Sequence, residues 1–271
     1  VERSRGLGDV YKRQMLNFAF LGCGHIAKSL IQGFQKNTEI KIFGYDILEQ
    51  NKEWLEKNNH SSCSLEECIE KSDIIFLCVK PQDLKALCDE IMEFNISSKT
   101  FVSVAAGVKI SELENLLPSS KIFRAMPNVG AKDNLGVTAI YSNHDNKEMV
   151  KTFKFIGESY EVENEDQIDL HTVLIGSGPA FFYDLMQEFE KRLDELLTDK
   201  ESKRLVSIVF LSSIINAIKN GENLEQLVES VASKGGTTEA ALQKLDEKGF
   251  KKIFSEAVDA GIKRAKELSM N

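Results

Sequence analysis

Residues 17–33 read Asn-Phe-Ala-Phe-Leu-Gly-Cys-Gly-His-Ile-Ala-Lys-Ser-Leu-Ile-Gln-Gly, and this stretch decides the fold of the N-terminal half. Its first part, residues 18–21, is an apolar run with the length of a buried parallel strand. Two glycines follow at once, and apolar residues then recur at helical spacing. The order of strand, glycine turn and helix predicts the first βα unit of a parallel sheet.

Three small residues in this stretch have the spacing of a dinucleotide-binding turn. Gly22 permits a sharp turn, Gly24 allows the backbone to approach a pyrophosphate, and Ala27 lets the helix pack closely on the strand. An ordinary strand-to-helix turn is the alternative, but the flanking strand, the helix and Ala27 favour a nucleotide site. Because amides at the start of the helix would face the phosphates, we expect cofactor contacts from Gly22, Cys23, Gly24, His25, Ile26 and Ala27.

Composition limits the class of protein. The chain has 271 residues, enough for two domains, and a net charge of −8, which argues against a nucleic-acid partner in the absence of a basic cluster. No apolar run approaches the ~20 residues that span a bilayer, so we expect no membrane partner. Residues 1–14 lack the apolar segment of a signal peptide, and we interpret them as a vector remnant or a mis-called start before Met15. A short basic targeting arm is the alternative for this segment.

The cysteines and histidines give no sign of a metal site. None of the five cysteines forms a C-x-x-C pair, and no histidine pair accompanies them at zinc spacing. Cys78 lies inside an apolar run and is interpreted as a small core residue. An odd number of free cysteines suits a reducing compartment, so we expect a cytoplasmic location. The four histidines are scattered, and none is assigned a catalytic role.

Strands and helices alternate through residues 17–162, which predicts a doubly wound, mostly parallel, Rossmann-like α/β sheet. After the first strand, further strands are predicted at 40–45, 73–79, 100–105, 122–125, 137–141 and 160–162. Ligands of such sheets lie beyond the carboxyl ends of the strands. This rule places four segments around one crevice, namely 22–24, 79–82, 105–107 and 126–128.

The pattern changes after Val162, beyond which only helices are predicted, at 168–175, 180–197, 204–220, 224–231, 238–245 and 250–268. We therefore expect a dinucleotide-binding domain over 15–162 and an all-α domain over 163–271. The helix at 204–220 is apolar around most of its circumference, which indicates burial on all sides. A second subunit is the expected cover, and a central helix within one large monomeric core is the alternative.

A second loop, Ser233-Lys-Gly-Gly-Thr-Thr238, precedes one of these helices. Its glycines leave the amides of Gly236, Thr237 and Thr238 accessible, and such a nest at a helix N-terminus can hold a small carboxylate. A threonine hydroxyl beside that carboxylate could reach a reacting nitrogen. An ordinary threonine N-cap is the alternative, and the motif alone leaves both interpretations open.

Taken together and in order, these motifs resemble the pyrroline-5-carboxylate reductase family over residues 15–268, nearly the whole chain. Two departures are Lys234, where the family signature S-P-G-G-T-T has proline, and Gly130, where proline often follows M-P-N. The matching residues are the nucleotide loop from Phe20 to Gly24, the crevice residues Val79, Lys80, Pro81, Gln82, Ala105, Ala106, Gly107, Met126, Pro127 and Asn128, the segment from Gly176 to Phe181, and the loop from Ser233 to Thr238.

The resemblance implies that the cyclic imine of 1-pyrroline-5-carboxylate is reduced to L-proline with NADPH or NADH. Thr238 would hydrogen-bond the imine nitrogen. The helical domain would carry the substrate loop and pair with a second copy in a homodimer. By the same resemblance, the substrate carboxylate would be bound by Ser233, Gly235, Gly236, Thr237 and Thr238, and the cofactor by the nucleotide loop and the crevice residues.

Two other functions remain open from the sequence. The first is a dehydrogenase of the 3-hydroxyacid or 6-phosphogluconate type. Such enzymes use a lysine on the helix after the domain boundary, and residues 169–175 contain none. The second is a dinucleotide-binding regulator that has kept the fold without turnover, which only Lys234 favours.

Asp46 bears on the choice of cofactor. It ends the second predicted strand, close to the ~20 residues beyond the first loop glycine at which an acidic residue binds the adenosine ribose. A carboxylate here would accept the ribose hydroxyls of NADH and repel the 2′-phosphate of NADPH. No arginine follows within 46–51, and Lys52 is the nearest cation along the chain, so we expect NADH to be used at least as well as by relatives. Alternatively Asp46 caps the helix that begins near Leu48, and both roles can coexist.

Overall fold

The computed structural model describes residues 15–219, 221 and 223–268. The interpretation of residues 1–14, and the last residue of the helix predicted at 204–220, lie outside the described residues. The chain divides into two compact units, whose described residues are 15–176 with 265–268, and 177–219 with 221 and 223–264. The domain boundary predicted between residues 162 and 163 stays a prediction, because these units reflect packing alone.

The first unit is built on one sheet, which has eight strands among the described residues. Its spatial order is β3-β2-β1-β4-β5-β6-β7-β8. Neighbours from β3 to β6 are parallel, β6 and β7 are antiparallel, and β7 and β8 are parallel. The predicted doubly wound, mostly parallel sheet is therefore confirmed. The strands are β1 Leu16–Leu21, β2 Ile40–Tyr45, β3 Ser61–Ser62, β4 Ile74–Leu77, β5 Thr100–Ser103, β6 Lys121–Met126, β7 Gly136–Tyr141 and β8 Gly157–Glu161.

Side chains along a strand alternate between the two faces of the sheet, so the apolar strands place apolar side chains on both faces. Helices cover both of these faces. Phe18 and Phe20 of β1 pack on one face with Phe34 and Phe76, in a cluster of aromatic rings. Ala19 and Leu21 are buried in a separate core on the opposite face. The helices of this unit are α1 His25–Phe34, α2 Glu49–Lys57, α3 Leu65–Lys71, α4 Pro81–Ile91, α5 Ile110–Leu116, α6 Lys147–Phe153 and α7 Asp166–His171.

The second unit contains only helices and connecting turns among its described residues, as the sequence predicts. Within it, the helices Gly178–Leu193 (α8) and Asp199–Lys219 (α9) pack together, with the rings of Phe189 and Phe210 edge to face at 5.4 Å between centroids. The last helix of the chain begins in this unit and ends in residues assigned to the first. The helices are α8 Gly178–Leu193, α9 Asp199–Lys219, α10 Leu224–Val231, α11 Thr237–Glu247 and α12 Phe250–Leu268.

Three local differences from the sequence-based expectations have physical causes. The helix predicted at 168–175 is α7 followed by a π-helical turn, Thr172–Gly176, because apolar spacing does not distinguish these helix types. Strand β3 was not predicted, since two serines carry no apolar signal. Thr237 begins α11, so this helix starts one residue earlier than predicted. In the part of the chain that the structure describes, no helix is long and apolar enough to cross a membrane.

Candidate functional site

Backbone hydrogen bonds join the carboxyl ends of neighbouring central strands. The Gly22 amide donates to the Tyr45 carbonyl at 2.8 Å, and the Cys78 amide donates to the Leu21 carbonyl at 2.8 Å. The Val104 amide donates to the Leu77 carbonyl at 3.2 Å. These bonds continue the ladders past the strand ends. The structure therefore brings the loops after β1, β2, β4 and β5 to one edge of the sheet, where the sequence predicts the crevice.

The two loop glycines have different roles. Gly22 has φ +86°, and a Cβ built on it would lie 2.8 Å from the Cγ1 atom of Val79, so a side chain is excluded by both conformation and space. Gly24 precedes α1 as its N-cap and has nothing within 4 Å of a built Cβ. This open approach to a helix N-terminus fits the pyrophosphate of a dinucleotide.

The carboxylate of Asp46 ties the nucleotide loop to β2 and α2. Its Oδ2 accepts from the Cys23 amide at 2.6 Å and from the Asn51 side-chain amide at 2.9 Å. Its Oδ1 accepts from the Leu48 amide at 2.8 Å. A carboxylate has about four acceptor positions, and these donors use three of them, so a contact of Asp46 with a ribose hydroxyl stays a prediction. Asp46 thus has the structural role left open by the sequence, although Leu48 rather than Asp46 is the N-cap of α2.

Three other loop residues differ in exposure. The Cys23 side chain is fully buried, and burial raises the pKa of its thiol to about 12, so the thiol stays protonated at neutral pH. Ala27 is also fully buried, as expected for close packing of the helix on the sheet. His25 is exposed at the start of α1 and Ile26 is partly buried. Their proposed cofactor contacts therefore fall on backbone amides at the exposed helix start rather than on side chains.

The remaining crevice residues also lie at or just beyond strand ends. Lys80 is exposed and precedes α4, whose first residue is Pro81. This is the position where a missing amide hydrogen costs nothing. Ala105 and Ala106 follow β5, and Gly107 has φ +79°.

The segment after β6 completes this edge. Met126 packs in a small apolar cluster with Ala106. Pro127 and Asn128 follow, and the Oδ1 atom of Asn128 accepts from the amides of Gly130 and Val137 at 3.2 and 3.3 Å. Cofactor contacts by these residues stay predictions. Within the described residues, no cluster of histidine, cysteine, aspartate or glutamate is arranged to hold a metal ion.

The loop from Ser233 to Thr238 is a tight turn at the start of α11. Gly235 has φ +72°, and a Cβ on Gly236 would lie 2.5 Å from the hydroxyl oxygen of Ser233. Both glycines are therefore required by the turn. The Gly235 amide donates to Glu239 at 2.6 Å, and the Gly236 amide donates to the Ser233 carbonyl at 2.9 Å. The expectation that the Gly236 amide is accessible to a carboxylate is therefore wrong, because the turn itself uses that amide.

The alternative in which a threonine is the N-cap of α11 is wrong. Gly236 is the N-cap of α11, and Thr237 and Thr238 occupy the first turn. In the described part of the chain, the amides of these threonines have no hydrogen-bond partner, because amides in the first turn have no acceptor within their own helix. They are free to hold a carboxylate, and the Thr238 hydroxyl is not used as a cap.

Helix α9 carries an apolar surface that a single chain does not bury. Val206 near its start is buried, but the large apolar side chains that α9 exposes have exposed fractions from 41% at Ile215 to 77% at Ile218, with Ile214 at 51%. The alternative of a central helix in one monomeric core is therefore wrong. A contiguous surface of this kind is typical of a protein–protein interface.

Comparison with known proteins identifies related chains. A family model described as pyrroline-5-carboxylate reductase dimerisation matches residues 165–268. A second, described as NADP oxidoreductase coenzyme F420-dependent, matches residues 17–107. The first match covers the exposed helix α9, so the second copy expected at this surface is supported by the family: the chain self-associates through its helical unit.

Three related proteins match this chain over nearly its whole length. Pyrroline-5-carboxylate reductase of Pasteurella multocida is 29% identical, over 94% of this chain and 98% of that protein. The crystal structure of Plasmodium falciparum pyrroline carboxylate reductase with NADP bound has a TM-score of 0.85 at 26% identity, over 94% of this chain and 99% of that one. Pyrroline-5-carboxylate reductase 1 of Bacillus subtilis is 30% identical, over 93% of this chain and 89% of that protein. With this identity over nearly the whole of both proteins, the chain belongs to the pyrroline-5-carboxylate reductase family.

Proposed function

We propose that this chain reduces 1-pyrroline-5-carboxylate to L-proline, with NADPH or NADH as the reductant, and that its two predicted loops perform separate parts of the task. The observation that carries the proposal is the turn from Ser233 to Thr238. There, Gly235 has a left-handed backbone and Gly236 leaves no room for a side chain, and the chain then enters the first turn of α11 with the Thr237 and Thr238 amides unpaired. The resemblance of this loop to the family signature gives these amides their substrate.

The substrate carboxylate is bound by backbone groups. The amides of Thr237 and Thr238 point out of the N-terminus of an eleven-residue helix, where the helix dipole favours negative charge. Ser233 and the two glycines shape the turn around it, and the Ser233 hydroxyl adds a donor. Such a site fixes a planar carboxylate in one orientation. One additional contact is then enough to orient the imine ring.

That additional contact is the hydroxyl of Thr238. The imine nitrogen becomes more basic as the adjacent carbon accepts the hydride, so we expect the Thr238 hydroxyl to hydrogen-bond it and to pass it a proton that the hydroxyl regains from solvent. A correctly aimed hydrogen bond at the reacting group contributes mainly in the transition state. Holding the imine in one position removes much of the entropic barrier.

The first unit binds the dinucleotide. Gly22 and Gly24 provide the turn and the open approach, and Ala27 keeps α1 close to the sheet. The residues at the edge of the sheet, from Val79 to Asn128, would orient the nicotinamide end. When bound, the reduced nicotinamide supplies the hydride. The related Plasmodium falciparum structure contains NADP at 26% identity, which supports a dinucleotide of this type here.

The cysteines support a reducing compartment. All five are free, and burial raises the pKa values of Cys23, Cys68, Cys78 and Cys88, so these four thiols stay protonated at neutral pH. We place the reaction in the cytoplasm on this ground.

The proposed reaction is tested by following reduced-nicotinamide absorbance with the purified chain. We expect oxidation of NADPH or NADH that requires 1-pyrroline-5-carboxylate. Reduction of NAD⁺ or NADP⁺ with a 3-hydroxyacid or 6-phosphogluconate, without activity toward the imine, would show a dehydrogenase of another type. Tight binding of NADPH without turnover of any of these compounds would show a regulator.

A further inference from the structure

A chain of hydrogen bonds joins four elements at the end of β2. The Lys28 ammonium, on α1, donates to the Oδ1 atom of Asn51, on α2, at 2.7 Å. The Asn51 amide donates to Asp46 at 2.9 Å, and Asp46 accepts from the Cys23 amide of the nucleotide loop at 2.6 Å. Lys28 also lies over the ring of Trp54, with 5.3 Å between its Nζ atom and the ring centroid.

Two charged side chains in this hydrogen-bond network, Asp46 and Lys28, are largely or partly buried without contacting each other directly. Asp46 is only 7% exposed, and the three groups that donate to it are neutral amides. Lys28 is partly buried, and its ammonium is separated from the carboxylate only by the side chain of Asn51. A buried carboxylate without a direct cationic partner is costly, and a nearby ammonium lowers that cost. A positive charge is therefore held next to the residue expected at the adenosine ribose.

This cation could not be recognised along the sequence. Lys28 is distant from Asp46 in the chain, whereas Lys52 is close to it and looks like the natural partner of a phosphate. In the structure, Lys52 pairs instead with Glu49 at 3.3 Å on the exposed side of α2. Lys28 is the lysine that two side chains of α2, Asn51 and Trp54, hold in place.

We propose that Lys28, held by Asn51 and Trp54, determines specificity at the adenosine end by offering its ammonium to a 2′-phosphate and so offsetting the charge of Asp46. The inference deepens the proposed function, because it concerns the dinucleotide which that reaction consumes. An ammonium has three donors, and Asn51 uses one of them. Lysine binds phosphate as a point charge on a flexible stem, so a small movement of the side chain suffices.

The arrangement explains how one site accepts two cofactors. Asp46 alone would favour the free ribose hydroxyls of NADH. With Lys28 beside it, the pair has no net charge, and the penalty for a doubly negative phosphate falls. The chain is then expected to bind both dinucleotides, with Lys28 contributing only when the 2′-phosphate is present.

The test measures binding rather than turnover. Adenosine 2′,5′-diphosphate and adenosine 5′-monophosphate differ only by the 2′-phosphate, and calorimetry gives the Kd of each. For Lys28→Met we expect the Kd of the diphosphate to rise about tenfold, the size of one charge-assisted contact, with the Kd of the monophosphate changed less than about twofold. The control Lys52→Met should leave both Kd values within about twofold of the wild type.

A second variant separates charge from packing. Lys28→Gln can still donate to Asn51 but has no charge, so it should lose as much diphosphate affinity as Lys28→Met. Equal weakening of both ligands in these variants, or diphosphate binding of Lys28→Gln like that of the wild type, would overturn the proposal. Since no imine is present, a chain that fails to reduce 1-pyrroline-5-carboxylate but shows this discrimination would contradict the proposed reaction alone.

Discussion

The carboxylate of Glu239 accepts a hydrogen bond from the Gly235 amide at 2.6 Å, across the turn that carries the proposed substrate contacts. In the family signature a proline restrains this turn, and here Lys234 takes its place. The bond from Glu239 closes the turn in the absence of proline, as a glutamate in the first turn of a helix often does. It also places a negative charge where a substrate carboxylate is expected.

Replacing Glu239 with glutamine should improve substrate binding. Glu239→Gln keeps an acceptor for the Gly235 amide but removes a charge that repels the substrate. We expect the KM for 1-pyrroline-5-carboxylate to fall about threefold, as for a partly screened pair of like charges. Glu247→Gln, at the other end of α11, is the matched control and should leave KM unchanged. A KM that rises in Glu239→Gln would show that the charge assists binding.

The hydroxyl of Thr238 should matter for turnover. Thr238→Val preserves the shape of the side chain, and because Gly236 is the N-cap, α11 should form normally. We expect a loss of roughly 2–4 kcal/mol of transition-state stabilisation, on the scale of a lost oxyanion-hole donor, with the Kd of NADPH nearly unchanged. Thr238→Ser keeps the hydroxyl and should retain most of the activity. Wild-type kcat in Thr238→Val would remove this residue from the mechanism.

Asp46 should influence cofactor choice in addition to holding the loop. Asp46→Ser removes the acceptor of the Cys23 amide, so both dinucleotides should bind more weakly. The ratio of their kcat/KM values cancels this shared effect. We expect the ratio to shift toward NADPH about tenfold, equivalent to ~1.4 kcal/mol of relieved repulsion. If the ratio stays at its wild-type value, Asp46 acts only on the loop.

The exposed surface of α9 should be the site of self-association. Ile214 is 51% exposed in one chain, so Ile214→Glu should leave the subunit folded but bury an unpaired carboxylate in the pair. Sedimentation should show the wild type as a dimer or larger assembly and the variant as a folded monomer. Lys121→Glu, at an exposed position in the first unit, is the control. An active wild-type monomer at micromolar concentration would contradict this role of the helix.

A buried ion pair joins β6 to α7. The Nη1 atom of Arg124, whose side chain is 1% exposed, lies 2.6 Å from Glu165, which also accepts the Ile110 amide. Arg124→Met should reduce the free energy of unfolding by about 3–5 kcal/mol, because it leaves a carboxylate without its buried partner. Urea unfolding measures this loss. The double variant Arg124→Met, Glu165→Met should be more stable than Arg124→Met, and equal or lower stability would contradict the account.

The sequence predicts the elements of this fold better than the contacts of its side chains. The apolar run before Gly22 and the alternation of strands and helices are local signals, and they suffice for the sheet and the nucleotide loop. The contacts of Asp46 with Cys23 and Asn51, and of Lys28 with Asn51, join residues distant in the chain. No spacing rule predicts such pairs, because they depend on how α1 and α2 pack on the sheet.

The substrate loop shows the same limit on a smaller scale. Its glycines and threonines are visible in the sequence, but the bond between Gly235 and Glu239 depends on the left-handed turn at Gly235. The sequence also shows that α9 is apolar around most of its circumference. Only the structure shows that this apolar surface is exposed in a single chain, where another chain can bury it.

The proposed reaction is tested most directly by following the hydride from the cofactor into the product. The chain is incubated with 1-pyrroline-5-carboxylate and NADPH that carries two deuterium atoms at nicotinamide C4, and the product is analysed by mass spectrometry. We predict L-proline that carries one deuterium at the former imine carbon, in an amount equal to the NADPH consumed. NADPH consumption without proline, or proline that contains no deuterium, would contradict the proposed reaction.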